Sequence, residues 1–254
     1  MGSNRTPSSV PSWASQRLST VWHELRQALD ANPEFADGAT VVDAGGGSGG
    51  LAVPLAALGH TVVVVDPSPD ALAALERRAA ESGVAERVSG QQGDLSSLAD
   101  VVAPGSADVL LCHAVLEVVD DPADGLTAGL EVVRRDGLVS ILSANRHAVV
   151  VARALSGRFA AAEAALADPD GRAGPADRLL RRFAPDELVA LAESAGLTVH
   201  SLSGVRVFTD LVAAGALDVD VDARAALERL ELAAATDPAF RALATQLHLL
   251  GSRR

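Results

Sequence analysis

Apolar residues follow two rhythms along this chain. Two continuous β-branched runs, TVVDA (Thr40–Ala44) and TVVVV (Thr61–Val65), read as strands buried on both faces. Arg87–Gln91, Asp108–Cys112 and Leu138–Ser143 have the length and character of three more. Between them the spacing changes to three and four. Leu18, Val21, Trp22, Leu25 and Leu29 share one face of a helix expected from Trp13 to Leu29. Further helices are predicted over Leu51–Leu58, Pro69–Ser82, Pro122–Arg135, Pro185–Ala195 (with Gly196 as its stop) and Asp222–Ala235. Leu197–Phe208 and Gln246–Leu250 read as the last two strands.

Strands alternating with helices imply an α/β fold. The expectation is a Rossmann-like, mostly parallel seven-stranded sheet with helices on both faces, forming a single domain over residues 13–254. Residues 1–12 are rich in Ser and Pro and are expected to be a disordered tail. The pattern loosens over about 145–182, where an Ala-rich helix, DPDGRAGP and an arginine cluster suggest a helical lid insertion. In such sheets ligands sit beyond the carboxyl ends of the strands. Here those ends carry Asp43 with its glycines, Asp66, the pair Asp94 and Leu95, and His113.

Composition narrows the chemistry. The 254 residues carry 21 basic side chains, all arginine, against 33 acidic ones, a net charge of −12. That balance argues against a general nucleic-acid binder, and 3% aromatic residues leave few platforms for stacking bases. A single cysteine, Cys112, excludes an intrachain disulfide framework and a Cys-rich zinc site. The histidines show no metal-ligand spacing, so no metal is expected. The sequence lacks a long apolar run and a signal-peptide pattern, and the expected location is cytoplasmic.

The strongest local signal is VVDAGGGSGG, Val41–Gly50. Gly45, Gly47 and Gly49 follow Asp43 as D-x-G-x-G-x-G, a turn in which the backbone can approach a ligand and hand over to a helix N-terminus. Gly45, Gly47 and Gly50 also fit G-x-G-x-x-G, so the glycines alone do not separate a nicotinamide dinucleotide from S-adenosylmethionine. The acidic residues lean toward the second. Asp66 suits the ribose hydroxyls of either ligand, Asp94 suits an adenine amino group with Leu95 on the ring, and Asp43 suits a cationic amino-acid portion. An oxidoreductase would also want a proton donor such as Tyr-x-x-x-Lys, and the chain has neither residue type.

With the glycine motif, Asp66 and Asp94, the chain resembles the class I S-adenosylmethionine-dependent methyltransferases. CHAVLEVVDDP (Cys112–Pro122), GVRVFTD (Gly204–Asp210) and VWHELRQAL (Val21–Leu29) are similar to the bacterial tRNA 5-carboxymethoxyuridine methyltransferase family. The resemblance implies S-adenosyl-L-methionine as cofactor. It places Arg17 on the cofactor carboxylate, Gly45 and Gly46 along the methionine portion, Asp66 on the ribose, Asp94 and Leu95 at the adenine, and His113 beside the sulfonium. It further implies methyl transfer to a carboxylate on tRNA. A substrate carboxylate would want a cation, and Arg146 and Arg206 are candidate contacts, unless they are surface or strand-packing arginines; Arg172, Arg178, Arg181 and Arg182 read as a solvated face of the lid, with a local grip on phosphates as the alternative. A small-molecule acid or hydroxyl is the alternative acceptor.

Overall fold

The computed structural model describes residues 19–212 and 221–254. Seven strands form one sheet: β1 (Thr40–Ala44), β2 (Thr61–Asp66), β3 (Val88–Gln92), β4 (Ala107–His113), β5 (Val133–Ala144), β6 (Leu197–Val205) and β7 (Gln246–Arg253). Their order is β3-β2-β1-β4-β5-β7-β6. β1 to β5 run parallel, and β7 lies antiparallel between β5 and β6. The order reverses between β1 and β4, which makes their carboxyl ends the expected place for a ligand.

Alternation along the strands splits the core in two. Val41, Val109 and Leu111 pack against α1 (Ser19–Ala31), α2 (Ala52–Ala57) and α3 (Pro69–Glu81). Val42, Leu110 and Cys112 face the other way, toward α4 (Leu98–Val101), α5 (Pro122–Leu130) and α8 (Pro185–Ser194). Both faces of the central strands are therefore dry, which is why their sequences are continuous and not alternating. Beyond β5, α6 (Arg146–Leu155) and α7 (Phe159–Ala167) precede an irregular stretch; α9 (Val221–Ala234) and α10 (Pro238–Arg241) precede β7.

Four boundaries differ from the sequence reading by three residues or more. The helix expected to reach Arg135 stops at Leu130, and β5 begins at Val133 instead of Leu138. Val132 and Val133 are buried in the core, and Val133 pairs with Ala107 before the register slips to Leu138 opposite Val109. Sheet pairing overrides the helical pattern there. β6 stops at Val205, because Arg206 takes a positive φ of 60° and turns the chain. β7 continues to Arg253, paired on both sides. The tail, Arg17 and the first six residues of the Trp13–Leu29 helix lie outside the described residues.

Candidate active site

A cavity of about 590 Å³ opens at the carboxyl ends of the central strands. Its lining includes Gly45, Asp66, Asp94, Leu95, Ala114 and Val115. The turn after β1 forms its floor. Gly45 has φ +70°, and a side chain there would strike Val115 at 2.6 Å. A Cβ on Gly46 would lie 2.4 Å from Asp43 Oδ2. The Asp43 carboxylate thus rests against bare backbone, which only glycine permits.

Each acidic residue has a distinct setting. Asp43 is 3% exposed and no hydrogen bond reaches its side chain among the described residues. Burial, then the nearby Asp66 charge, pushes its carboxyl up to about 7. Asp66 is held at both oxygens: Gly47 N–H donates to Oδ2 and Ser68 N–H to Oδ1, each at 2.9 Å. Asp94 begins a short 3₁₀ turn over Leu95–Ser97. Its Oδ1 accepts from the Ser96 and Ser97 amides and hydroxyls, and these bonds, the Ser96 hydroxyl first, lower its pKa. Asp94 therefore caps a turn and lines the cavity at once. Leu95 is buried against α5, where a Cβ on Gly129 would meet its Cδ1 at 2.6 Å. Asp120, Asp121 and Asp124 complete an acidic lining.

His113 is absent from that lining, although Ala114 and Val115 belong to it. Its Nε2 lies 2.8 Å from Ser140 Oγ, and its Nδ1 is buried without a partner. Burial, with His248 second, pushes its pKa down to about 3, so the ring is neutral.

A second cavity of about 610 Å³ lies past the end of β5. It is lined by Ala144 and Asn145, by Ala148, Val149 and Ala152 of α6, and by Arg206, Val207, Asp210 and Leu211. Sequence reasoning missed its two struts. Asn145 is 1% exposed, donates to the carbonyls of Ala242 (3.0 Å) and Ala244 (2.8 Å), and caps α6 by accepting from His147 N–H. Glu231, also buried, accepts from the amides of Val207, Phe208 and Thr209 and from the Thr209 hydroxyl. Asn145 had a signal, as a capping residue between an apolar run and a helix. Glu231 had none, because its partners lie more than twenty positions away.

The arginines expected to meet a substrate are otherwise engaged. Arg146 pairs with Glu187 at 2.5 Å and donates to the carbonyls of Asp168 and Pro169 at 2.9 Å. Arg206 lines the second cavity but is ion-paired with Asp210, which also accepts from Thr245 Oγ1. Arg172 pairs with Asp168 and Asp170, Arg182 with Asp177, and Arg181 donates to the carbonyls of Leu116, Val119 and Asp120. Arg178 is exposed. Among the described residues no cluster of three or more metal-ligating side chains occurs, and no helix is long and apolar enough to cross a membrane.

Residues 42–141 match the family model described as a methyltransferase domain. The tRNA 5-carboxymethoxyuridine methyltransferase of Escherichia coli (strain K12) is 30% identical over 204 residues, 76% of this chain and 72% of the relative. The chain belongs to the class I S-adenosylmethionine-dependent methyltransferases. A ubiquinone biosynthesis O-methyltransferase of Thiobacillus denitrificans (strain ATCC 25259 / T1) is 33% identical over 73% of this chain and 75% of its own length. Among solved structures, the magnesium protoporphyrin IX methyltransferase of Synechocystis PCC 6803 with bound S-adenosylhomocysteine has the same fold. Its TM-score is 0.59 at 13% identity, covering 98% of this chain and 90% of that one.

This methyltransferase takes S-adenosylmethionine as its cofactor, and the residues present fit that group. Asp43, buried against glycine backbone and without a side-chain hydrogen bond among the described residues, can receive the cationic amino group of the methionine portion.

Proposed function

We propose that this methyltransferase transfers a methyl group to an oxygen of a compact, largely apolar small molecule seated in the second cavity. The observation that carries this reading is that cavity itself: about 610 Å³, walled by Ala, Val and Leu side chains, its arginines already paired with aspartates. A phosphate backbone would instead meet Asp120, Asp121 and Asp124 around the cofactor cavity and few unengaged cations.

In this reading Asp66 holds the ribose hydroxyls, Asp94 and Leu95 the adenine, Asp43, Gly45, Gly46, Gly47 and Gly49 the methionine portion, and Arg17 its carboxylate. S-adenosylmethionine supplies the methyl group as an electrophile on a positively charged sulfur. The protein's own work is to orient the two partners and keep water out, which is where most of such a rate gain arises. Residues 145–182 act as wall and lid of the acceptor cavity, within one domain. The ubiquinone-pathway relatives, named as O-methyltransferases, support an oxygen acceptor. A second reading, methylation of carboxymethoxyuridine in tRNA, is favoured by the Escherichia coli relative.

The test uses tritium-labelled S-adenosylmethionine with either tRNA containing carboxymethoxyuridine or a small-molecule extract of the source organism. Label in the extract and none in tRNA is the expected result. Label in tRNA, suppressed by salt, would establish the second reading.

A further inference from the structure

One arginine joins the walls of the two cavities. The loop between β4 and α5, residues 114–121, supplies Ala114, Val115, Val118, Val119, Asp120 and Asp121 to the cofactor cavity. Within that loop the Val118 and Val119 amides donate to the Val115 carbonyl. The carbonyls of Leu116, Glu117, Val119 and Asp120 are instead taken by a strap, residues 179–183, that leads into α8. Leu180 N–H donates to Glu117 O at 2.9 Å. The half-buried Arg181 guanidinium spans the other three: Nη1 donates to Leu116 O (3.2 Å) and to Val119 O, and Nη2 to Asp120 O (2.8 Å). A planar fork of donors can hold three carbonyls in fixed relation, which a rotating ammonium cannot.

The same strap faces the second cavity. Leu179 and Arg182 line it, and Phe183 is tied to its wall: Phe183 N–H donates to Ala144 O at 3.0 Å, and Arg146 N–H to Phe183 O at 3.1 Å. Glu117, 2% exposed, closes the circuit, its Oε1 accepting from Ala144 N–H at 2.7 Å. The shape of the cofactor loop therefore depends on bonds that leave it, and those bonds end on residues that wall the other cavity. A loop held by its neighbour opens and orders together with that neighbour. The bend after β6 also lines the second cavity, through Arg206 and Val207, but it is held by Glu231 of α9.

We propose that Arg181 is a positioning residue that couples the two cavities, so that bound cofactor sets the wall against which the acceptor docks. The proposal rests on the reading that seats the acceptor in the second cavity, and it adds an order to that reaction. A nucleoside against Val115, Val118 and Val119 steadies the loop. The loop steadies the strap through Arg181, and Leu179 and Arg182 are then fixed as acceptor wall. Such coupling is reciprocal, so an acceptor in place holds the cofactor more tightly. Methyl transfer needs both partners held in line, and a wall completed by the donor directs acceptor binding to the productive complex.

The experiment is hydrogen exchange of the full chain, amide by amide, with and without saturating S-adenosylhomocysteine, binding being checked by calorimetry. In the wild type the ligand should slow the Arg182, Phe183 and Arg146 amides by about fivefold or more, although their acceptors, the carbonyls of Asp170, Ala144 and Phe183, lie outside the cofactor cavity. The Val207, Phe208 and Thr209 amides, bound to Glu231, should not respond. Arg181→Met keeps the aliphatic stem and loses the donors. It should still bind S-adenosylhomocysteine, and the strap should no longer slow. Arg181→Lys should restore part of the response, and decides the matter with the wild type should Arg181→Met fail to fold. A merely structural role would speed the strap amides equally with and without ligand and leave their ratio intact, which would overturn the coupling. So would a wild-type strap unmoved by the ligand, or a response shared equally by the Glu231-bound amides. Failure of the wild type to bind S-adenosylhomocysteine would bring down the cofactor reading and the coupling with it. The response is read without any acceptor, so methyl label found in tRNA would end the small-molecule reading and leave the exchange result to decide the coupling.

Discussion

The two cavities are built in opposite ways. The cofactor cavity is made of backbone: glycines at the end of β1, amides that grip Asp66, and a capped turn beneath Asp94. The second cavity, where we seat the acceptor, is made of side chains joined at long range, with Asn145 tying α6 to the segment before β7 and Glu231 tying α9 to the bend after β6. Backbone geometry tolerates almost no variation and suits one invariant ligand. A wall of aliphatic side chains can be reshaped by substitution and suits a ligand that differs between relatives.

That contrast can be broken most severely at Gly46. Gly46→Ala would drive a methyl group into the Asp43 carboxylate, 2.4 Å from Oδ2. Calorimetry should show S-adenosylmethionine affinity falling by about a hundredfold or more. Asp66→Ala would leave the Gly47 and Ser68 amides without their acceptor and remove the ribose contact. A loss of about ten- to a hundredfold in the same measurement is expected, in line with hydrogen bonds to a charged group.

Glu231→Ala attacks the other half. It orphans three backbone amides in a buried position, and denaturant unfolding should register a loss of roughly 2–4 kcal/mol. Cofactor affinity should change by less than about threefold, because no residue of the cofactor cavity depends on that bend.

Asp43 sharpens the comparison through pH. In the folded protein its carboxyl keeps its proton up to about pH 7, while the unfolded chain releases it near 3.8. The folded state therefore binds more protons between those values, and stability falls as pH rises through that window and stays lower above it. Asp43→Asn should flatten this slope in melting curves of the cofactor-free protein, raise its melting temperature at pH 8 by a few degrees, and weaken cofactor binding. The smallest effect belongs to Arg206→Ala, which should alter acceptor turnover and shift cofactor affinity by less than about twofold.

The same contrast explains what the sequence reveals. The first four strands, the glycine turn, Asp66 and the acidic strand ends are legible because they follow from local periodicity and from what a tight turn demands of a residue. Asp94 has two readings in sequence, an adenine contact or a cap; the structure shows the cap, on the Ser96 and Ser97 amides, at a position that also lines the cavity. The start of β5 is hidden because pairing with Ala107, and not local propensity, decides it. Arg146 and Arg206 look available in sequence; Glu187 pairs with the first from far along the chain, and Asp210 pairs with the second across the bend that follows β6, only four residues on. The three carbonyls that Arg181 holds lie more than sixty positions before it, so that bridge exists only in three dimensions.

The most direct measurement is a crystal structure with S-adenosylhomocysteine bound. The account predicts the nucleoside in the 590 Å³ cavity, with both ribose hydroxyls on Asp66, the adenine between Asp94 and Leu95, and the amino group of the methionine portion drawn toward Asp43. A nucleoside bound elsewhere, or one that leaves Asp66 and Asp43 untouched, would contradict it.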